Sequence, residues 1–232
     1  MSSLDTRDVA RDSLFLFAEL TLDGQPDAVR VKVRNLSAGG MMADAIVSGI
    51  LRQGIAQPQD VCIGEPVESR RAYLNEQHGV TTTSDNREVF KHGELVVLAV
   101  KPQDLSLVLG ENKGSLDKDQ TVVSIVAGAK MARLERGLGR SAIVRVMPNT
   151  PAQIGAGMSV WTAAPAVPGA KVASTRDILR TLGEEIYVPD EKLIDMATAL
   201  SASGPAYAFT FIEALIDAGV YLGMSREMAR KL

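Results

Sequence analysis

Three largely apolar runs in the middle of the chain limit its fold more than any other feature. They extend from Leu95 to Val100, from Thr121 to Val126 and from Ala142 to Met147, and Met131 to Leu138 is predicted as a short helix between the last two. Strands that are apolar along their whole length are typical of parallel sheets covered on both faces. Strands that alternate with helices therefore predict an α/β protein with a doubly wound sheet.

The segments on either side of these runs extend the prediction. Met42 to Arg52 is predicted as a helix and Val61 to Ile63 as a short strand. Ala163 to Ala170 has the composition of a loop or domain boundary, and helices are expected to predominate from Lys171 on. Gly204-Pro205 is expected to begin a long helix, because proline at the first helical position loses no backbone hydrogen bond.

The first 40 residues have a different pattern. Leu14 to Leu22 and Val29 to Leu36 are predicted as two strands joined by a turn, and valines alternate with Arg30, Lys32 and Arg34 in the second. Such alternation is typical of a strand with one wet face, and its charges are costly to bury in a central parallel strand. We therefore expect this strand pair to be appended to the α/β sheet.

The composition is that of an ordinary globular protein and argues against several classes of function. The 232 residues are 46% hydrophobic and 23% charged, with a net charge of -3, which gives no reason to expect a nucleic-acid surface. Cys62 is the single cysteine and His78 and His92 the only histidines, so no metal site is expected. No apolar run approaches a membrane span and no signal-peptide core follows the N-terminus, which favours a cytoplasmic protein without a membrane partner.

Four short strings carry the strongest functional signal. Three end predicted strands, where open α/β sheets bind ligands, and the fourth opens the long C-terminal helix. They are Ala99-Val100-Lys101-Pro102-Gln103, Ser124-Ile125-Val126-Ala127-Gly128, Arg145-Val146-Met147-Pro148-Asn149-Thr150-Pro151-Ala152 and Ser201-Ala202-Ser203-Gly204-Pro205-Ala206-Tyr207. In this order and spacing they make residues 42–232 resemble the pyrroline-5-carboxylate reductases.

The resemblance implies an NAD(P)H-dependent oxidoreductase that reduces the imine of 1-pyrroline-5-carboxylate to L-proline, in proline biosynthesis. It implies a Rossmann-like dinucleotide-binding domain at 42–162 and a helical dimerisation and substrate domain at 171–232, as in a homo-oligomeric family. In that family, further helices and a Gly-Thr-Thr substrate loop follow the position of Leu232. We therefore expect an incomplete helical domain and impaired reductase activity.

The resemblance also implies where the cofactor binds. The expected cofactor-binding residues are Gly39, Gly40, Met41, Met42, Asn86, Ala99, Lys101, Pro102, Ala127 and Gly128. Ala38 departs from the family, because it replaces the first glycine of the dinucleotide fingerprint. NADP is the commoner expectation, but NAD stays open: Glu65 can accept from a ribose hydroxyl, whereas Ser69, Arg70 and Arg71 can hold the extra phosphate.

The substrate is expected at the start of the long helix. Ser203, Gly204 and Pro205 offer a helix N-terminus that suits a carboxylate, and the resemblance adds a contact from Glu191. Ala202 replaces a glycine of the family string. No catalytic acid or base is assigned, because a protonated imine is already electrophilic and needs mainly to be placed beside the hydride donor.

A second resemblance lies at the N-terminus. Arg7 and Arg11, followed by Asn35, Ser37 and Gly40, resemble the two half-motifs of PilZ domains, small β-barrels that bind cyclic diguanylate. Residues 1–41 are therefore predicted as a PilZ-like β fragment with an N-terminal hairpin. A cyclic diguanylate sensor is the alternative function, and an inactive remnant of either fold is a third.

Overall fold

The computed structural model describes residues 41–90 and 93–232 in full and the backbone of residues 14–20 and 29–35. Arg7, Arg11, Ser37, Gly39 and Gly40 lie outside these ranges. The strands are β1 (Leu14–Leu20), β2 (Val29–Asn35), β3 (Cys62–Gly64), β4 (Thr81–Thr83), β5 (Leu95–Ala99), β6 (Thr121–Ser124), β7 (Ile143–Met147), β8 (Gly157–Ala163) and β9 (Gly183–Tyr187).

Helices connect most of these strands. They are α1 (Met41–Arg52), α2 (Glu68–His78), α3 (Asn86–Phe90), α4 (Leu105–Glu111), α5 (Met131–Leu138), α6 (Gly169–Arg180), α7 (Lys192–Ala197), α8 (Gly204–Tyr221) and α9 (Arg226–Lys231). Short 3₁₀ turns occupy Pro58–Asp60 and Thr150–Ile154, and a π-helical turn occupies Thr198–Ala202. The predicted alternation of strands and helices is confirmed.

One seven-stranded sheet organises the fold, in the order β1-β2-β5-β6-β7-β8-β9. β2, β5, β6 and β7 are parallel, so their carboxyl ends lie at one edge. β8 runs antiparallel to β7, and β9 is parallel to β8. A separate two-stranded sheet contains β3 and β4.

The N-terminal strand pair is part of this sheet, so the prediction that it is only appended was wrong. β1 and β2 are antiparallel, as expected of the two strands, but β2 also pairs in parallel with β5, where Val33 is opposite Val97. Strands pair through backbone hydrogen bonds, which form whatever the side chains are. The alternating charges of β2 therefore did not reveal its pairing with β5. β1 is the edge strand next to β2, and β3 is not part of this sheet because it pairs with β4.

The sheet also extends past the predicted boundary at Thr162. After α6 the chain returns as β9, which pairs with β8 along Gly157–Trp161. The segment from Lys171, expected to be helical, therefore contains a strand of the main sheet. β9 was missed because Gly183-Glu184-Glu185-Ile186-Tyr187 is too polar and too short to stand out as a buried strand.

Two apolar cores on opposite faces of the sheet explain why the central runs are apolar throughout. Val97 and Ala99 of β5 face the core beneath α1 and α6, whereas Val96 and Leu98 face the core beneath α4 and α5. All five residues of β5 are buried. Both faces of β5 are thus covered, as predicted.

Candidate functional site

The carboxyl ends of the parallel strands bring most of the predicted cofactor residues to one edge. Asn35 at the end of β2 is opposite Ala99 at the end of β5, and Leu98 is opposite Ser124 of β6. Lys101 and Pro102 lie in the loop after β5, and Ala127 and Gly128 lie in the loop after β6. The pairing register therefore places the expected cofactor loops side by side.

A helix N-terminus lies at the same edge. α1 has 12 residues and begins at Met41, six residues after the end of β2. Met41 is exposed and Met42 packs against the apolar core. The positive end of a helix dipole is a favourable place for phosphate, so the geometry suits a dinucleotide.

Asp44 in the first turn of α1 is paired. Its carboxylate is 2.7 Å from Nε2 of His78, at the end of α2. The His78 side chain is only 14% exposed. The contact joins the two helices that follow β2 and β3.

The residues considered for choosing between NAD and NADP have protein partners. Glu65 is buried and its Oε1 accepts a hydrogen bond from the Val67 amide at 2.9 Å. Arg71 Nη1 donates to the carbonyls of Glu65 and Pro66, both at 2.7 Å. The guanidinium of Arg70 lies 4.8 Å from the centre of the Tyr73 ring. The side chains that could recognise a ribose hydroxyl or a phosphate are therefore engaged within the chain itself, and they select neither NAD nor NADP in this conformation.

Asn86, the predicted residue at the adenosine side, lines a cavity of about 360 Å³. Asn112 lines the same cavity from the end of α4. The Oδ1 atoms of both amides are buried and have no hydrogen-bond partner within the described residues. An unpaired buried acceptor costs stability, so two of them in one cavity favour a ligand with N–H donors.

The predicted substrate residues lie in a continuous helical run rather than at a free helix N-terminus. α7, the π-helical turn and α8 follow one another without a break. The Ser203 amide and hydroxyl both donate to the Thr198 carbonyl, at 3.1 and 2.9 Å. Pro205 lies in the first turn of α8, as predicted. In this conformation the π-helical turn supplies an internal acceptor for the Ser203 N–H and hydroxyl, and the substrate site at Ser203, Gly204 and Pro205 stays a prediction.

Glu191 does not stand alone as a substrate contact. Its Oε1 accepts from Arg145 Nη1 at 2.9 Å and from the Met131 amide at 2.7 Å. Arg145 Nη2 also donates to Asp195 Oδ1 at 2.6 Å. Sequence reasoning missed this cluster, although one signal was present: an arginine in the apolar strand β7 needs buried partners.

The helix α8 presents a largely apolar surface. Phe209, Phe211, Ile212 and Leu215 are each at least 49% exposed. Lys192–Tyr221 is a helical run of 30 residues, long and apolar enough to cross a membrane by length and composition alone, and 6% of its most apolar window is buried. A surface of this kind favours contact with another apolar surface.

Two family models match the chain. Residues 36–128 match the family described as "NADP oxidoreductase coenzyme F420-dependent". Residues 191–232 match "Pyrroline-5-carboxylate reductase dimerisation". The first range contains α1, β5 and β6 with their loops, and the second contains α7, α8 and α9.

Relatives and solved structures agree with these matches. A pyrroline-5-carboxylate reductase of Synechocystis is 40% identical over 194 residues, which cover 84% of this chain and 72% of the relative. The Escherichia coli enzyme is 38% identical, with 83% and 71% covered. The structure of a Coxiella burnetii pyrroline-5-carboxylate reductase has a TM-score of 0.75 at 36% identity, with 83% of this chain and 72% of that chain covered. A Plasmodium falciparum pyrroline carboxylate reductase with NADP bound has a TM-score of 0.72 at 33% identity, with 83% and 70% covered.

The expected Rossmann-like sheet with a C-terminal helical dimerisation region is confirmed, whereas neither family model concerns a PilZ domain. The relatives match over most of their own length. This chain belongs to the pyrroline-5-carboxylate reductase family.

Proposed function

We propose that this chain reduces 1-pyrroline-5-carboxylate to L-proline with NADPH. The observation that carries the proposal is the meeting, at one sheet edge, of the N-terminus of α1 with the loops at Lys101 and Gly128, in a chain of this family. Ligands of open α/β sheets bind beyond the carboxyl ends of the strands, so this edge is where cofactor and substrate would meet.

The residues at this edge fit the cofactor. The N-terminus of α1 suits the pyrophosphate, and the unpaired amide oxygen of Asn86 suits the amino group of adenine. Gly128 has a φ of +72° and open space where a Cβ atom would be, so the loop after β6 offers backbone to a flat ring. NADPH is the expected form, with NADH as the alternative.

In the site, NADPH would supply a hydride for the imine carbon, while the ring nitrogen would keep the proton that makes the imine electrophilic. The protein's part is to place the substrate, since correct placement of the reacting atoms can lower a barrier by about 7 kcal/mol or more. Ser203, Gly204 and Pro205 are proposed to hold the carboxylate. Binding would turn the Ser203 hydroxyl from the Thr198 carbonyl, its present acceptor, towards the substrate.

The proposal is tested by titration and by turnover. We expect calorimetric titration to show NADPH binding, and NADPH oxidation to depend on added pyrroline-5-carboxylate. Cyclic diguanylate is titrated in parallel, because Arg7, Arg11, Asn35 and Ser37 suggest the alternative function. Absence of imine-dependent oxidation together with saturable cyclic diguanylate binding, lost in Arg11→Ala, would replace the reductase proposal with the sensor.

Asn86→Ala should separate cofactor binding from stability. Removing an unpaired buried acceptor should leave the free energy of unfolding unchanged or raise it, since such an atom costs about 1–3 kcal/mol. Losing its bond to the cofactor should weaken NADPH binding about tenfold. Urea unfolding and calorimetric titration measure the two effects.

Asn75→Ala is the matched control for this substitution. The Asn75 amide donates to the Val80 carbonyl at 3.0 Å and does not line the cavity. This variant should lose stability and keep its NADPH affinity. If Asn86→Ala loses stability but binds NADPH normally, the adenosine site does not include Asn86.

We also propose that a second copy of the chain covers α8. Residues 191–232 match the dimerisation family, and the exposed apolar side chains of α8 lie within that range. Burying them between two copies would remove apolar area from water, which is the main driving force of association. The expected cytoplasmic location without a membrane partner remains a prediction.

A further inference from the structure

The guanidinium of Arg145 is a buried charged group between β7 and α7. The residue is 1% exposed, in the middle of β7, and its two terminal nitrogens donate to two different carboxylates. Nη1 is 2.9 Å from Glu191 Oε1, and Nη2 is 2.6 Å from Asp195 Oδ1. Glu191 precedes α7 and Asp195 lies within it, so the fork fixes both the position and the rotation of α7 on the sheet.

Glu191 also contacts the start of α5, next to the proposed cofactor loop. The same oxygen that accepts from Arg145 also accepts from the Met131 amide at 2.7 Å. Met131 begins α5, three residues after Gly128 in the proposed cofactor loop. One carboxylate oxygen therefore joins β7, α7 and the end of the loop on which the cofactor is proposed to lie.

The helical run that begins with α7 leads to the proposed substrate segment. α7 continues through the π-helical turn to Ser203 and Gly204. The residues after β7 also contact this helical run close to Ser203. Asn149 Nδ2 donates to the Ser201 carbonyl at 3.2 Å. The Asn149 side chain is itself oriented by the Met158 amide, 2.8 Å from Oδ1. The helical run that leads into the proposed substrate segment is thus held from β7 at two points.

We propose that Arg145 is a positioning residue, which sets the distance between the substrate segment at Ser203 and the cofactor loop at Gly128 by binding Glu191 and Asp195. This inference rests on the proposed function. Arg145 touches neither reactant in this arrangement, and it acts through the two carboxylates. A buried guanidinium with a planar fork can hold this geometry, whereas a single ammonium can bind only one carboxylate well.

The size of the expected effect follows from geometry. A displacement of about 1 Å between reacting atoms can cost about 100-fold in rate. In Arg145→Met the two carboxylates lose their common partner, and α7 is free to shift on β7. We expect kcat/KM for pyrroline-5-carboxylate to fall about 100-fold, with a raised KM and a lowered kcat. The Kd for NADPH should change less than about threefold, because Glu191 still accepts from the Met131 amide.

Arg145→Lys and Arg140→Met complete the experiment. Arg145→Lys keeps the charge and reaches one carboxylate, so it should recover part of kcat/KM. Arg140 precedes β7 at its other end and donates to the Leu116 carbonyl at 2.6 and 3.1 Å. Arg140→Met should therefore lose stability with no change in KM for the imine. Should Arg145→Met fail to fold, the lysine variant supplies the comparison.

Amide hydrogen exchange gives a readout that does not need turnover. We expect residues 198–206 to exchange faster in the Arg145 variants than in the unsubstituted chain and in Arg140→Met. If the unsubstituted chain shows no imine-dependent NADPH oxidation, the proposed function fails and exchange alone decides the role of Arg145. Normal exchange at 198–206 in the Arg145 variants, or equal loss of kcat/KM in the Arg145 and Arg140 variants, would overturn the proposal.

Discussion

Gly183→Ala should lower the free energy of unfolding by about 3 kcal/mol or more. Gly183 begins β9 with a φ of +132°, a conformation that L side chains rarely adopt. A Cβ atom there would lie 2.3 Å from the Gly157 carbonyl oxygen and 2.5 Å from the Gly157 nitrogen. Backbone strain and a backbone clash therefore act together, and neither can be relieved by turning a side chain.

Urea unfolding measures this loss, and Gly169→Ala is its control. Gly169 begins α6, and a Cβ atom built there meets nothing within 4 Å. That variant should be unchanged or stabilised by up to about 1 kcal/mol, because alanine favours a helix. Equal stability of the two variants would mean that β8 and β9 do not pair through Gly157 and Gly183. Because β9 leads into α7, Gly183→Ala should also disturb the segment that Arg145 holds.

Phe211→Asp should weaken dimerisation about 100-fold or more. Burying a phenylalanine side chain contributes about 1.5–3 kcal/mol, and a carboxylate in its place would have to be desolvated at the interface. Phe211 is 66% exposed in the single chain, so the substitution should leave the fold of one copy intact. Sedimentation velocity over a range of concentrations measures the dissociation constant of the dimer.

Thr210→Asp adds the same charge one position away and serves as the control. Successive helix positions differ by about 100°, so residue 210 points away from the Phe211 face of α8. Its hydroxyl donates to the Ala206 carbonyl at 2.9 Å within the helix. This variant should remain dimeric at concentrations where Phe211→Asp is monomeric. Identical sedimentation of both variants and the unsubstituted chain would place the dimer contact elsewhere.

The central part of the fold could be predicted because its signals are local. Both faces of β5 are buried, so the run from Leu95 to Val100 is apolar at every position. Proline and glycine mark the loops after β5 and β6, which the parallel register then brings to one edge. The cofactor residues expected between Ala99 and Gly128 stay a prediction, and it needed no knowledge of tertiary contacts.

The segments that were predicted wrongly depend on contacts between distant residues. The partner of β2 is β5, some 60 residues further along the chain, and no periodicity within β2 indicates it. β9 is short and polar, and it forms a strand because β8 offers a free edge. The sequence also did not show that the Ser203 N–H and hydroxyl share the Thr198 carbonyl as acceptor, because this contact depends on the π-helical turn.

The sequence by itself determined the apolar strands, the positions of the loops and the family to which they belong, because periodicity and short motifs are properties of neighbouring residues. Only the tertiary structure decided what the charged residues do. Arg145 in an apolar strand signals a need for partners, but Glu191 and Asp195 lie 46 and 50 residues away. Long-range pairing depends on how helices pack on the sheet, so the pairing that holds α7 on β7 became visible only in the folded chain.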